Sequence, residues 1–167
     1  GSTISSTSGS ITVSGTTTRT DWASLYLYNS STVSTTSGSI GLFGTGGGWG
    51  ANLQGVSVIS NSGGILINGG NSGVVTGDGG TTNIGATSAT QSSSAITLTG
   101  NRYLGWTSPT HIKTTGSVVI ESLANQFSEN STLSNVTFTG NSSLRIGKST
   151  NGRNVTLDGT GAVNIVG

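Results

Sequence analysis

The fold this sequence predicts is an all-β parallel β-helix, a solenoid of about nine coils of roughly 18–20 residues. Three observations predict it. The apolar residues, 31% of the chain, gather in short runs that alternate with polar ones. One pattern of strand, glycine and second strand recurs at a spacing of about 19 residues. Gly, Ser, Thr and Asn together make up well over half of the chain, and only 7% of it is charged. Such a composition suits a flexible linker, but linkers do not collect β-branched residues into regular runs.

The runs come in order. Ile11-Thr12-Val13, Leu25-Tyr26-Leu27 and Ile40-Gly41-Leu42 open the chain. Val56-Ser57-Val58, Ile65-Leu66-Ile67 and, after a run starting at Val74, Ile96-Thr97-Leu98 follow. Val118-Val119-Ile120, Val136-Thr137-Phe138, Leu144-Arg145-Ile146, Val155-Thr156-Leu157 and Val163-Asn164-Ile165 complete the series. Each has period two, which reads as a short strand, and nearly all are bounded by the turn formers Gly, Asn and Ser. No stretch holds a 3.6-residue period, so almost no helix is expected.

Three segments share one template. Val136 to Gly140 aligns with Val155 to Gly159, and the pair Leu144/Ile146 aligns with Val163/Ile165. Ile96 to Gly100 fits as well, followed by Leu104 and Trp106. Coils built on this repeat would stack Leu98, Phe138 and Leu157 inside, then Leu104, Leu144 and Val163, then Trp106, Ile146 and Ile165. Nine coils at about 4.8 Å each give a rod about 43 Å long. Gly44, Gly100, Gly140 and Gly159 would turn corners, where glycine tolerates positive φ. Asn101 and Asn141 would continue as an amide ladder. Residues 3–167 form one domain, with 91–167 the most regular part and Gly1-Ser2 read as a cloning scar.

The same arithmetic excludes several functions. A net charge of +1 from six basic residues offers no phosphate-facing stripe, so no nucleic-acid partner is expected. Such short apolar runs do not insert into a membrane. No cysteine is present, so thiol chemistry and disulfides are out. A single histidine, His111, gives no imidazole cluster, and no metal or cofactor is expected. The acids Asp21, Asp78, Glu121, Glu129 and Asp158 form no close pair at strand spacing, although Glu121 and Glu129 could approach across a turn. No residue is expected to be catalytic. The run Gly44 to Gly50 lacks the Gly-Lys-Ser/Thr ending of a phosphate loop and reads as a turn or protruding loop. Arg145, Lys148 and Arg153 read as a solvated basic face. Five sequons, at Asn29, Asn130, Asn135, Asn141 and Asn154, match the number that the Ser and Thr content alone produces.

The segments Ile96 to Asn101, Val136 to Asn141 and Asn154 to Gly167 resemble coils of the filamentous haemagglutinin-like exoproteins of two-partner secretion. Autotransporter passengers and phage tailspikes share that fold. The resemblance covers 91–167 well and 1–90 loosely. It implies a right-handed β-helix and a secreted or bacterial cell-surface adhesin. The only proline is Pro109, so the family's Asn-Pro-rich secretion motifs are missing. The resemblance therefore implies shaft: an internal slice of a longer rod whose partner is a receptor or glycan on a host or neighbouring cell.

Two further readings follow from surface residues. Tyr26 and Tyr28 alternate with Leu25 and Leu27, so both should point outward. With Trp22 they form the expected contact patch, on which a glycan could stack in a glycan-binding solenoid, against the competing reading of ordinary packing on a sheet face. Phe43, Trp49, Tyr103 and Trp106 are further aromatics, with Trp106 assigned to a core column. The triplets Thr97-Leu-Thr99 and Thr137-Phe-Thr139 could form an outward Thr array suited to ice, although Thr is a common outward strand residue.

Overall fold

The computed structural model describes residues 1–86, 92–150 and 152, together with the backbones of 155–157 and 163–166. The chain runs through three strands, turns, and repeats. The first round is β1 (Thr3–Ser6), β2 (Ile11–Thr17) and β3 (Ala23–Tyr28). The second is β4 (Thr32–Thr35), β5 (Ile40–Gly46) and β6 (Trp49–Gln54), and the third is β7 (Ser57–Ser60), β8 (Ile65–Asn68) and β9 (Val74–Thr76). Next come β10 (Thr82–Gly85), β11 (Ile96–Thr99) and β12 (Tyr103–Gly105), then β13 (Thr110–Lys113), β14 (Ser117–Glu121) and β15 (Ser131–Leu133). The last are β16 (Val136–Thr139), β17 (Ser143–Ile146), β18 (Val155–Leu157) and β19 (Val163–Val166).

Every third strand pairs in parallel. Sheet A is β1-β4-β7-β10-β13-β16-β19, sheet B is β2-β5-β8-β11-β14-β17, and sheet C is β3-β6-β9-β12-β15-β18. The molecule is a three-sided β-solenoid. Its first half keeps the same register as its second, with Ile11↔Ile40↔Ile65 continuous with Ile96↔Val118↔Leu144.

The coil is longer than the sequence repeat. Six steps along sheet A carry the chain from Thr3 to its equivalent Asn164, so each coil takes about 27 residues, an ordinary length for a stacked repeat. This corrects the expectation of nine shorter coils. The sequence template compared strands on different faces: Ile96 lies in sheet B, Val136 in sheet A and Val155 in sheet C. The step from Val136 to Val155 moves the chain by two of its three faces, and both faces carry the same alternation. Six steps of about 4.8 Å give a rise of about 29 Å, well short of the expected rod.

Inward side chains stack in register. Sheet B contributes Ile11, Ile40, Ile65, Ile96 and Val118, and beside them Leu42, Ile67, Leu98 and Ile120. Sheet A contributes Val33, Val58, Ile84, Ile112 and Phe138. Sheet C contributes Leu25, Ala51, Val74 and Tyr103. All of these are buried. β-Branched side chains fit such columns, and burial of each stabilises the fold by about 1.5–3 kcal/mol. Leu98 and Phe138 therefore belong to different columns. Leu104 faces outward in register with Val75 and Thr132. The strands of Leu157, Val163 and Ile165 lie in sheets C and A.

Hydroxyls satisfy the corner between sheets A and B. Ser60 Oγ lies 2.9 and 3.0 Å from the Gly38 and Gly63 carbonyl oxygens, which share its one proton. One coil on, Ser94 Oγ donates to Ser60 O at 2.7 Å, and Thr114 Oγ1 to Ser94 O at 2.6 Å. These buried Ser and Thr side chains pair carbonyls that a tight corner would otherwise orphan.

Glycines at the corner between sheets B and C are required by close approach. A Cβ on Gly50 would lie 1.7 Å from Gly69 O, and one on Gly69 would lie 1.8 Å from Gly73 O. The run Gly44 to Gly50 is thus mostly strand, with only Gly47 and Gly48 between β5 and β6. Gly140 does have positive φ, at 74°, whereas Gly44 and Gly100 are needed for close approach. Gly159 lies outside the described residues. Asn101 follows a sheet B strand and Asn141 a sheet A strand, so they form no common ladder. Asn101 Nδ2 instead donates to Asn71 O at 2.8 Å.

Tyr103 is fully buried in sheet C. Its hydroxyl shares a 2.6 Å hydrogen bond with Thr76 Oγ1, which also accepts from Thr110 Oγ1 at 2.9 Å. Burial pushes its phenol up to about 12, although the hydrogen bonds to Thr76 and Thr110 oppose the shift. An unfolded tyrosine ionises near pH 10, so stability is full below that and falls as pH rises toward 12. The expected loss between pH 9 and pH 11.5 is about 2 kcal/mol. Denaturant titrations at the two pH values measure it, and Tyr103→Phe should flatten the dependence.

Candidate functional site

The outer face of sheet C carries the exposed aromatic groups. β3 alternates Leu25 and Leu27 toward the core with Tyr26 and Tyr28 away from it, and the two phenol rings stack at 5.1 Å with 15° between planes. Tyr26 is 39% exposed and Tyr28 50%. The Tyr26 hydroxyl donates to Gln54 Oε1 on the neighbouring β6. Partial burial, and then the negative charges of Asp78 and a Tyr28 phenolate, raise the Tyr26 phenol above its ordinary range.

Trp22 stands just before β3 and is 55% exposed. The Arg19 guanidinium lies 5.5 Å from its ring centre and forms an ion pair with Asp21 at 2.9 Å. That guanidinium holds the Asp21 carboxyl below its usual range. Trp49, at the start of β6, is fixed from two sides. Trp106 meets it edge-on at 5.5 Å and 89°, and the Arg102 guanidinium lies 5.1 Å over its ring. Arg102 is in turn paired with Glu129. Trp106 is half-buried on this aromatic pair, which corrects its assignment to a core column.

Asn52 completes the arrangement. It is the register partner of Tyr26 on the neighbouring strand, one coil further along the chain. Only 7% of it is exposed, and its Oδ1 has no hydrogen-bond partner among the described residues. Asp21, Trp22, Ala23, Tyr26, Trp49 and Asn52 line one cavity of about 200 Å³.

Sheet B offers a larger hollow, about 410 Å³, bordered by Thr12, Phe43, Leu66 and Thr97. Phe43 folds back over Gly41, where a Cβ would meet its ring at 2.6 Å. Among the described residues, no charged side chain lines this hollow.

The Thr residues of the second reading are divided. Thr97 and Thr99 lie on sheet B, Thr137 and Thr139 on sheet A. Thr97 stands between Leu66 and Val119, and Thr137 between His111 and Asn164. Thr99 is only 8% exposed. The four do not share a face.

His111 lies on strand β13. Glu121 pairs with Arg145 at 2.9 Å, so Glu121 and Glu129 are held by different arginines. Lys148 Nζ donates to Ala124 O at 2.8 Å, and Arg153 lies outside the described residues. Among the described residues, no three His, Cys, Asp or Glu side chains are grouped to hold a metal ion, and no helix is long and apolar enough to cross a membrane. Comparison with family models, with curated proteins and with solved structures finds no match to this chain.

Proposed function

We propose that the chain is a non-enzymatic shaft segment of a large secreted or cell-surface bacterial adhesin, with the outer face of sheet C as its contact face. The observation that carries this reading is the gathering of Trp22, Tyr26, Tyr28, Trp49 and Trp106 on one side of a stacked β-solenoid. The backbone ladders and inward apolar columns supply stiffness. The aromatic face supplies contact area to a receptor or glycan, since Trp and Tyr dominate recognition surfaces. Three carboxylates, Asp21, Glu121 and Glu129, are each engaged by a separate arginine rather than set against one another for acid–base work. The division of the Thr triplets between two sheets removes the support for an ice-binding array.

Antibodies to the chain test the surface assignment on intact cells of the source organism. Labelling of intact cells is the expected result, and labelling only after permeabilisation would contradict it. The isolated chain should also compete with those cells for attachment to their target surface, and Trp22→Ala should weaken that competition.

A further inference from the structure

We propose that the cavity between Trp22 and Trp49 is a subsite for one neutral hexopyranose ring, with Asn52 Oδ1 accepting a hydrogen bond from a sugar hydroxyl. The inference rests on the reading of sheet C as the contact face and names its ligand class.

The cavity has the size, walls and polar anchor for such a ring. Sites for drug-sized ligands begin near 300 Å³, so about 200 Å³ suits a single ring. Trp22, Tyr26 and Trp49 offer π faces, and the C–H face of a pyranose carries the slight positive charge that a π face attracts. Trp49 is preorganised by Trp106 and Arg102, so its ordering is not charged against binding.

Asn52 supplies the observation that points to a ligand. A carbonyl oxygen this buried and unpaired weakens the folded state, because the water it gave up is not replaced. A strand of this kind could carry Thr or Val at an outward position at no such cost. Here the unpaired oxygen belongs to a residue that lines the aromatic cavity, so a turn of the Asn52 amide toward the cavity would let a hydroxyl donor satisfy it.

Charge selects against acidic sugars. Among the described residues, the only ionised group lining the cavity is the Asp21 carboxylate, and the nearby Arg19 is already committed to it. A uronate or sialate would meet a carboxylate and no available cation, whereas neutral hydroxyls can donate to both Asn52 and Asp21.

The test is an NMR titration of the full chain with methyl glucoside, methyl galactoside, methyl mannoside and glucuronate. The indole N–H signals of Trp22 and Trp49 should shift saturably with at least one neutral glycoside, at a Kd of about 1–10 mM, and should not move with glucuronate. Asn52→Leu should weaken binding about tenfold. Trp22→Ala, at an exposed position, should abolish it with the fold intact. No saturable shift with any neutral glycoside would overturn the inference, as would equal affinity in Asn52→Leu. The two readings fail separately. If Trp22→Ala impairs cell attachment but no glycoside binds, the sugar subsite falls and the contact face stands. If a glycoside binds but Trp22→Ala leaves attachment unchanged, the contact face falls.

Discussion

Gly50→Ala should destabilise the protein by about 3 kcal/mol or more. The new Cβ would sit 1.7 Å from Gly69 O and 2.3 Å from its carbonyl carbon. These are backbone atoms of the next coil, so relief requires moving one coil against another. The same corner is crowded one coil on, where a Cβ on Gly69 would meet Gly73 O at 1.8 Å. A Gly64→Ala control, whose Cβ would meet nothing nearer than 3.8 Å, should stay within about 0.5 kcal/mol of the parent. Thermal and denaturant melts of the two variants, compared with the parent, measure the difference.

Phe138→Ala should cost about 3–5 kcal/mol. Phe138 is fully buried and stacks in register on Ile112 of β13. Its removal opens a cavity inside a column whose neighbours are fixed by backbone ladders on both sides. They cannot collapse into the space without breaking those ladders, which places the cost toward the upper end. Thr137→Ala, one residue earlier and facing outward, should change stability by less than about 0.5 kcal/mol. Equal effects at the two positions would contradict the inward and outward assignment.

These two positions also mark what the sequence discloses. Apolar alternation identifies strands wherever two inward positions are both aliphatic, as in Ile40-Gly-Leu42 and Ile65-Leu-Ile67. It misses strands such as Thr32–Thr35, which turn only Val33 and the Thr35 hydroxyl inward. Thr35 and Ser60 are core residues because they hydrogen-bond to corner carbonyls, and no hydropathy pattern marks such a role. Without these strands the inferred coil shrinks from three faces to two. The candidate site divides in the same way. Tyr26 and Tyr28 are legible because they alternate with Leu25 and Leu27. Trp49 is hidden in a glycine run, and Asn52 meets Tyr26 only through the register between neighbouring coils. Trp106 is misassigned by the repeat because a fixed spacing from a strand start means a different face on each of the three sheets.

The placement of every surface residue depends on this register, and cysteine pairs test it directly in a chain that contains no cysteine. Leu66 and Thr97 are lateral partners on the outer side of sheet B, one coil apart. Neighbouring parallel strands put their Cα atoms about 4.8 Å apart, within disulfide range. Thr137 and Thr156, which the sequence template would stack, lie on sheets A and C. Under mild oxidation Leu66→Cys with Thr97→Cys should close a disulfide in the folded monomer, and Thr137→Cys with Thr156→Cys should not. Closure of the second pair in place of the first would restore the shorter coil and contradict the three-sided solenoid.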